Sequence, residues 1–329
     1  MPKRDSFWGS PLVWLFIGLL VGVSVGYTFY QTDLAPFLPK TGAATLREYR
    51  LEIRQATIKY SDDSVWTAWT YNGTVPGPTL IARVGDVLRV TVKNNLDIIH
   101  SFHTHLGPYP MAEDGSQANV IIGNGVDAMI APGKEYTYKF KVDNPGIFYY
   151  HCHSADGHFM IVDHIRQGLY GAIIIYGIEE TIPTMQYVIF MSEMGIKATG
   201  HPPEYIMNGM GVPGGEHVLE QLAKSQGIGA VQAQLNKTVL AYKGKVGVTT
   251  RFYIINIGDM YHSFHLHGMT LKSVYYFPGK AWPANVVQLL PGAAEAIEVT
   301  PQYEGLWLFH CHVVSHADQG MIGVFIVDK

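Results

Sequence analysis

From residue 47 onward, short runs of β-branched and aromatic residues alternate with polar ones and are broken by glycine and proline. Val84-Gly-Asp-Val-Leu-Arg-Val-Thr-Val and Lys134-Glu-Tyr-Thr-Tyr-Lys-Phe are examples. A period of two sends successive side chains to opposite faces of a strand, so these runs predict half-buried strands. Many such strands between turn signals predict an all-β chain of sandwiches. The alternation weakens between Gly195 and Lys237, where Pro202-Pro203 and Gly214-Gly215 flank a helix-like stretch, Glu216 to Lys224. That segment reads as a long connection within a second domain, and His201 and His217 inside it are expected to bind nothing essential.

A different pattern opens the chain. Leu12 to Tyr30 is an uncharged apolar run preceded by Lys3 and Arg4. As a helix it would span about 28 Å, close to the thickness of a bilayer core. Positive residues ahead of it favour a cytoplasmic N-terminus and place the remainder outside the cytoplasm. A cleaved signal, leaving a secreted or periplasmic protein, is the alternative, although the apolar core of a signal is usually shorter. The expected organisation is therefore an anchor or signal over residues 1–30, a proline-containing linker over 31–46, one domain over 47–180 and a second over 181–329.

The two domains share a motif. His100-Ser-Phe-His103-Thr-His105 is matched by His262-Ser-Phe-His265-Leu-His267, and His151-Cys152-His153 by His310-Cys311-His312. The offsets are 162 residues (262 minus 100) and 159 (310 minus 151). A repeat this long that keeps its histidines means two similar domains, each carrying metal-binding chemistry. On a strand, His310 and His312 share one face and Cys311 takes the other, and the same holds around Cys152. His100 and His262 sit three positions before His103 and His265, an odd offset that puts them with the cysteines. Each domain thus offers four histidines on one side and a cysteine-histidine pair on the other.

A thiolate and an imidazole are two members of a blue-copper, or type 1, site. In the second domain the rest follows closely, as His316 lies five residues after Cys311 and Met321 ten after it. His262, Cys311 and His316 with a weak axial Met321 match the electron-transfer copper site. Ordinary core residues would leave these polar groups to be satisfied without metal, which is costly. In the first domain the interval from His164 to Leu169 repeats that from His316 to Met321, and Gly168-Leu169 mirrors Gly320-Met321. The expected set is His100, Cys152 and His164, with Leu169 as a non-coordinating axial neighbour that should raise the reduction potential. His158 with Met160 is the competing choice, and an empty vestigial site is another.

On these motifs the chain resembles the two-domain multicopper oxidases, the small laccase-like group with a type 1 motif in both domains. The resemblance covers about residues 45 to 329, and implies two Greek-key cupredoxin sandwiches. It implies that His103 and His265 hold type 2 copper. It implies that His105, His151, His153, His267, His310 and His312 hold the type 3 pair. Copper would then number about five per chain, as two type 1 sites and one three-copper cluster. Because the cluster's histidines are split between domains, the resemblance implies a homotrimer in which one chain's first domain meets the next chain's second. A head-to-tail contact that closes gives such a ring. The implied activity is oxidation of an outside electron donor at type 1 copper, coupled to four-electron reduction of O2 to water. Asp114 is implied as a proton relay, and a turn aspartate before Gly115 explains it equally well.

Copper nitrite reductases share the two-domain plan, the trimer and a long cysteine-to-histidine loop, which the stretch from Cys152 to His164 resembles. They carry an aspartate where this chain has His103. They also lack counterparts of His153 and Cys311. Oxygen reduction is therefore the leading expectation, nitrite reduction the second, and a non-catalytic copper electron carrier the third. Met191, Met194, Met207 and Met210 form a loose group that can mark cuprous-ion oxidation, and flexible core packing is its simpler explanation. Charged residues make up only 15% of the chain, against about 25% in ordinary globular proteins. That deficit fits dense β-structure plus one membrane segment. A net charge of -4 speaks against a nucleic-acid partner. Both cysteines are assigned to copper, so no disulfide is expected.

Overall fold

A computed structural model of the chain describes residues 44–61, 65–117, 128–194, 204–212, 214–227, 230 and 240–329. The apolar run Leu12 to Tyr30, the linker residues 31–43 and His201 lie outside them. Among the described residues, no helix is long and apolar enough to cross a membrane.

Among the described residues, the first unit has eight strands: β1 (Leu46–Lys59), β2 (Val65–Tyr71), β3 (Leu80–Arg83), β4 (Val87–Asn94), β5 (His103–Thr104), β6 (Glu135–Lys141), β7 (Gly146–His151) and β8 (Tyr170–Tyr176). They form two sheets of order β2-β1-β4-β6 and β3-β8-β7-β5. The described residues of the second unit form ten: β9 (Met185–Met194), β10 (Glu204–Met207), β11 (Leu240–Lys245), β12 (Thr250–Asn256), β13 (His262–Leu266), β14 (Lys272–Ser273), β15 (Val286–Leu289), β16 (Ala294–Val299), β17 (Gly305–Cys311) and β18 (Ile322–Asp328). Their sheets run β10-β9-β12-β16-β14 and β11-β18-β17-β13-β15. The motif repeat is thus also a topological one. β1 lies parallel to β4 as β9 does to β12, and β3 lies parallel to β8 as β11 does to β18.

Each unit closes a core between its own sheets. In the first, Leu51, Val90, Tyr138, Phe140, Ile173 and Ile175 meet around Cys152. In the second, Phe252, Ile254, Phe264, Phe309 and Phe325 meet around Cys311. β6, the Lys134–Phe140 run of the sequence, alternates buried and exposed as a one-faced strand must. β8 and β12 are buried at every position. The reason is a third apolar layer, in which Ile174 and Tyr176 of β8 pack with Tyr253 and Ile255 of β12 and Phe190 of β9. A strand buried on both faces reads as a continuous apolar run. The two units are therefore stacked sheet on sheet rather than strung on a flexible linker.

Among the described residues, short helices interrupt the all-β plan, including α1 (Ile161–Arg166), α2 (Gly215–Gln226) and α3 (Val314–Asp318). α2 contains the helix-like stretch at Glu216, and His217 on it is exposed. Leu219 of α2 packs with Ala317 of α3, together with Ile322 and Val324 of β18. Met191, Met207 and Met210 pack inside the second unit's core.

Candidate metal centres

In the second unit, β13 and β17 pair so that Phe264 faces Cys311 and His265 faces His310. His262 enters from β13, while His316 arrives on α3. The Cys311 Sγ lies 3.7 Å from His262 Nδ1 and 3.8 Å from His316 Nδ1, and the two nitrogens are 3.1 Å apart. All three residues are buried. The Met321 side chain is fully buried in the same core. Its main chain closes the loop, since Cys311 N donates to Met321 O and Met321 N to His316 O. Tyr205 of β10 stacks on the His316 ring at 3.9 Å.

The first unit repeats this arrangement. Cys152 Sγ lies 3.6 Å from His100 Nδ1 and 3.3 Å from His164 Nδ1, which are 3.2 Å apart. His164 comes on α1, as His316 comes on α3, a helical turn that the strand pattern did not foretell. Cys152 N donates to Leu169 O and Leu169 N to His164 O, so Leu169 holds the place of Met321. Gly168 and Gly320 precede them at φ 108° and 125°, where a side chain is strained. A Cβ on Gly168 would also stand 2.4 Å from Val75. His158 is exposed and Met160 is 56% exposed. The structure therefore brings His164, and not His158, to the thiol.

The other eight motif histidines form two sets on the other face. Ligand atoms of His103, His105 and His151 lie within 4.8 Å of one another, as do those of His265, His267 and His310. His153 stands beside the first set, 4.9 Å from His103 by ring centres, and His312 beside the second, 5.5 Å from His265. These rings use the opposite nitrogen from the cysteine sets. Nδ1 of His103 meets the Asp114 carbonyl at 2.6 Å, that of His265 the Asn285 carbonyl at 2.9 Å, and that of His151 the Cys152 carbonyl at 3.1 Å. His310 does the same with Cys311 at 2.9 Å, and His105 Nδ1 pairs with the Tyr149 hydroxyl at 3.2 Å. Each contact to a carbonyl fixes the proton on Nδ1 and leaves the Nε2 lone pair free. The free atoms converge, with His105 and His151 Nε2 3.3 Å apart and those of His267 and His310 3.0 Å apart. His105, His267 and His312 are exposed. Among the described residues, no close group of ligand atoms mixes the two sets.

Asp114 stands next to His103, with Oδ1 3.6 Å from Nδ1 and 3.4 Å from the Tyr109 hydroxyl. Ser116 donates to its other oxygen. Gly115 makes this turn feasible: at φ 64°, a Cβ there would collide with Phe102 O at 2.2 Å. His105 also borders a cavity of about 440 Å³ between the units. Inside it the Glu295 carboxyl is pushed up to about 7, chiefly by burial.

Burial sets the charge state of the metal-free sites. It pushes His100 and His151 down to about 3, and His105, His164 and His316 to about 4. The same effect raises the Cys152 thiol to about 11. For His262 burial acts downward as well, but hydrogen bonding and charge from Cys311 and Glu193 outweigh it and lift the group to about 9. Five histidines thus fold neutral, although an unfolded histidine takes its proton near pH 6.5. The unfolded chain binds the extra protons, so stability falls as pH drops from about 6.5 toward 4. His262 runs the other way, its contribution being complete below about 6.5 and lost as pH rises through about 9. Five groups outweigh one in the acid range. The thermal midpoint of the metal-free chain is expected to fall by more than about 10 °C between pH 7 and pH 4. Heat scans across that range check it, and a flat profile would refute the neutral-histidine assignment.

The donor sets fit copper. Ligands at about 2.0–2.3 Å around one ion stand about 3.5–4.0 Å from each other in a trigonal plane. The cysteine sets span 3.1–3.8 Å. A thiolate with two imidazoles is a soft set that selects copper over magnesium or calcium. The His100 and His164 Nε2 atoms face outward in the pocket without partners. Their inner Nδ1 atoms are the ones aimed at the thiol.

Fold and sites together define a copper-dependent oxidoreductase built on two cupredoxin-like sandwiches. Two family models described as multicopper oxidase match residues 52–180 and 217–329. A solved multicopper oxidase structure superposes with a TM-score of 0.69 at 26% identity, over 86% of this chain and 89% of that one. The chain belongs to the multicopper oxidase family. A probable nitrite reductase-hydroxylamine oxidoreductase fusion protein of Kuenenia stuttgartiensis is 26% identical over 97% of this chain, which spans 35% of that protein. The copper-containing nitrite reductase of Neisseria meningitidis serogroup A is 25% identical over 92% of this chain and 74% of its own length.

Proposed function

We propose that the chain oxidises a reductant one electron at a time and passes the electrons to O2, which is reduced to water at a three-copper cluster shared between chains. The carrying observation is the complete double histidine complement, four rings per unit, three of which bring their ligand atoms within 4.8 Å of one another while the fourth stands beside them. Bound copper would supply the electron-carrying and oxygen-reducing chemistry, and the protein its ligands, orientation and exclusion of water. His100, Cys152 and His164 would hold one type 1 copper, and His262, Cys311 and His316 the other, with Met321 axial. His103 and His265 would hold type 2 copper. His105, His151, His153, His267, His310 and His312 would hold the type 3 pair. The exposed half-sets complete each other in a head-to-tail ring of three Greek-key double sandwiches. Asp114, which contacts His103, would move protons. We place the copper domains outside the cytoplasm, held by the apolar run Leu12 to Tyr30.

Reduction of nitrite to nitric oxide is the second reading. The 12-residue interval from Cys152 to His164 favours it, as do the relatives named as nitrite reductases. His103, His153 and Cys311 speak for oxygen, since each adds a ligand that a nitrite site does not need. Total-metal mass spectrometry of copper-loaded protein separates the readings. About five coppers per chain, with four electrons consumed per O2, support the oxidase. Four coppers would leave one blue site empty. Three or fewer would mean no complete cluster and would favour nitrite reduction or simple electron carriage.

A further inference from the structure

The two cysteine sets match in their inner atoms and differ in their outer ones. His262 Nε2 lies 2.8 Å from Glu193 Oε1, with both side chains fully buried. Because Nδ1 of His262 faces Cys311, Nε2 carries the proton and donates it to the carboxylate. The other oxygen, Oε2, accepts the Asp259 N–H at 3.0 Å. Asp259 in turn takes a 2.7 Å ion pair from Arg166, which lies two residues past His164 on α1. The helix that delivers His164 to one site therefore helps clamp the carboxylate of the other.

In the first unit the corresponding atoms have nothing to give to. Nε2 of His100 and of His164 are buried without hydrogen-bond partners. The Trp69 indole stands edge-on to both rings, at 5.4 Å and 5.3 Å. A carboxylate that accepts the outer N–H makes an imidazole a stronger donor to its metal. A stronger donor favours the oxidised ion, so the reduction potential falls. An imidazole in an apolar pocket with no acceptor has no such help, and the apolar shell itself favours the less charged, reduced state.

We propose that Glu193 is a positioning residue that sets the two blue sites of one chain apart, by fixing the His262 tautomer and poising the Cys311 site below the Cys152 site. This rests on the reading that both sites take copper. Leu169 in place of Met321 acts in the same sense, but it works on the first unit alone, whereas Glu193 works on the second. A chain holding a single electron then keeps it in the first unit.

The test uses full-length Cys152→Ser protein, in which the blue absorbance reports the Cys311 site alone. Its copper content is measured first. Lack of copper at Cys311 would overturn the proposed function and this inference together. With copper present, redox titration of the blue band should show Glu193→Gln shifting the potential upward, with Glu193→Asp restoring part of the original value. A Glu193→Gln potential equal to or below the parent would overturn the inference and leave the oxidase reading intact. Two-component titration of the wild type should place the Cys311 site lower, and the opposite order is equally fatal. Should Glu193→Gln fail to load copper, nitrogen NMR of the metal-free chain above about pH 9, where the His262 ring is neutral, reads its tautomer directly. Wild type should carry the proton on Nε2, and Glu193→Leu should lose that preference. An unchanged tautomer would show that Glu193 does not position the ring.

Discussion

Cys311→Ser is expected to lower steady-state turnover by more than about 100-fold, beyond the usual cost of changing a residue outside the ligand shell. Cys152→Ser should spare most of the activity. Cys311 is covalently flanked by His310 and His312, whose rings turn to the other face of the strand, so the main chain itself is the short path between the two kinds of site. A serine hydroxyl is a hard ligand and cannot replace the soft thiolate. Cys152 has the same flanking histidines, but its site is the one poised high by Leu169 and by two unpartnered imidazoles. A carrier poised high holds its electron rather than passing it on. Turnover per bound copper, measured with any accepted reductant, decides the matter. Loss of activity in Cys152→Ser with Cys311→Ser active would assign the main route to the first unit.

The second large effect is complementation between inactive chains. His103→Ala and His265→Ala should each be inactive, since each breaks one half of every shared cluster. After the two are mixed, dissociated and reassembled, some contacts pair the intact first unit of a His265→Ala chain with the intact second unit of a His103→Ala chain. Random assembly of a closed ring makes about one quarter of the contacts of this kind. Recovery of about a quarter of wild-type activity is therefore expected. A cluster formed within one chain would give no recovery, because every chain in the mixture carries one broken half.

Much of this architecture is written locally. The paired His-x-His and His-Cys-His motifs sit on β5, β7, β13 and β17 or just past their ends, where strand alternation assigns each ring to its face. His164 was legible through the interval it shares with His316, because the helical turn and the glycine after it have the same length in both units. The helices that carry His164 and His316 were not legible, being a single turn or so within loops too short for periodicity to show, whereas α2 was. Glu193 was missed for another reason. It lies in β9, whose sequence Met185 to Met194 reads as a buried apolar strand, and its partner His262 is 69 residues away. A lone acid in such a strand is the one local sign. Tyr205 was hidden likewise, since only the β9–β10 pairing carries it onto His316. The stacking of the two units rests on β8 and β12 being apolar on both faces. Such a run does not name what covers its second face.

The loop after each cysteine is held by main-chain hydrogen bonds, through the carbonyl and N–H of Leu169 in one unit and of Met321 in the other. The side chain at that position packs in the core but takes no part in those hydrogen bonds. Leucine and methionine have similar volumes, and exchanging them in a core usually costs less than about 1.5 kcal/mol. Their codons can differ by a single base. Evolution therefore has a dial at this position, one point mutation that retunes a redox centre and leaves the scaffold undisturbed. Two copies of the same gene segment could drift to different settings without either having to fold differently.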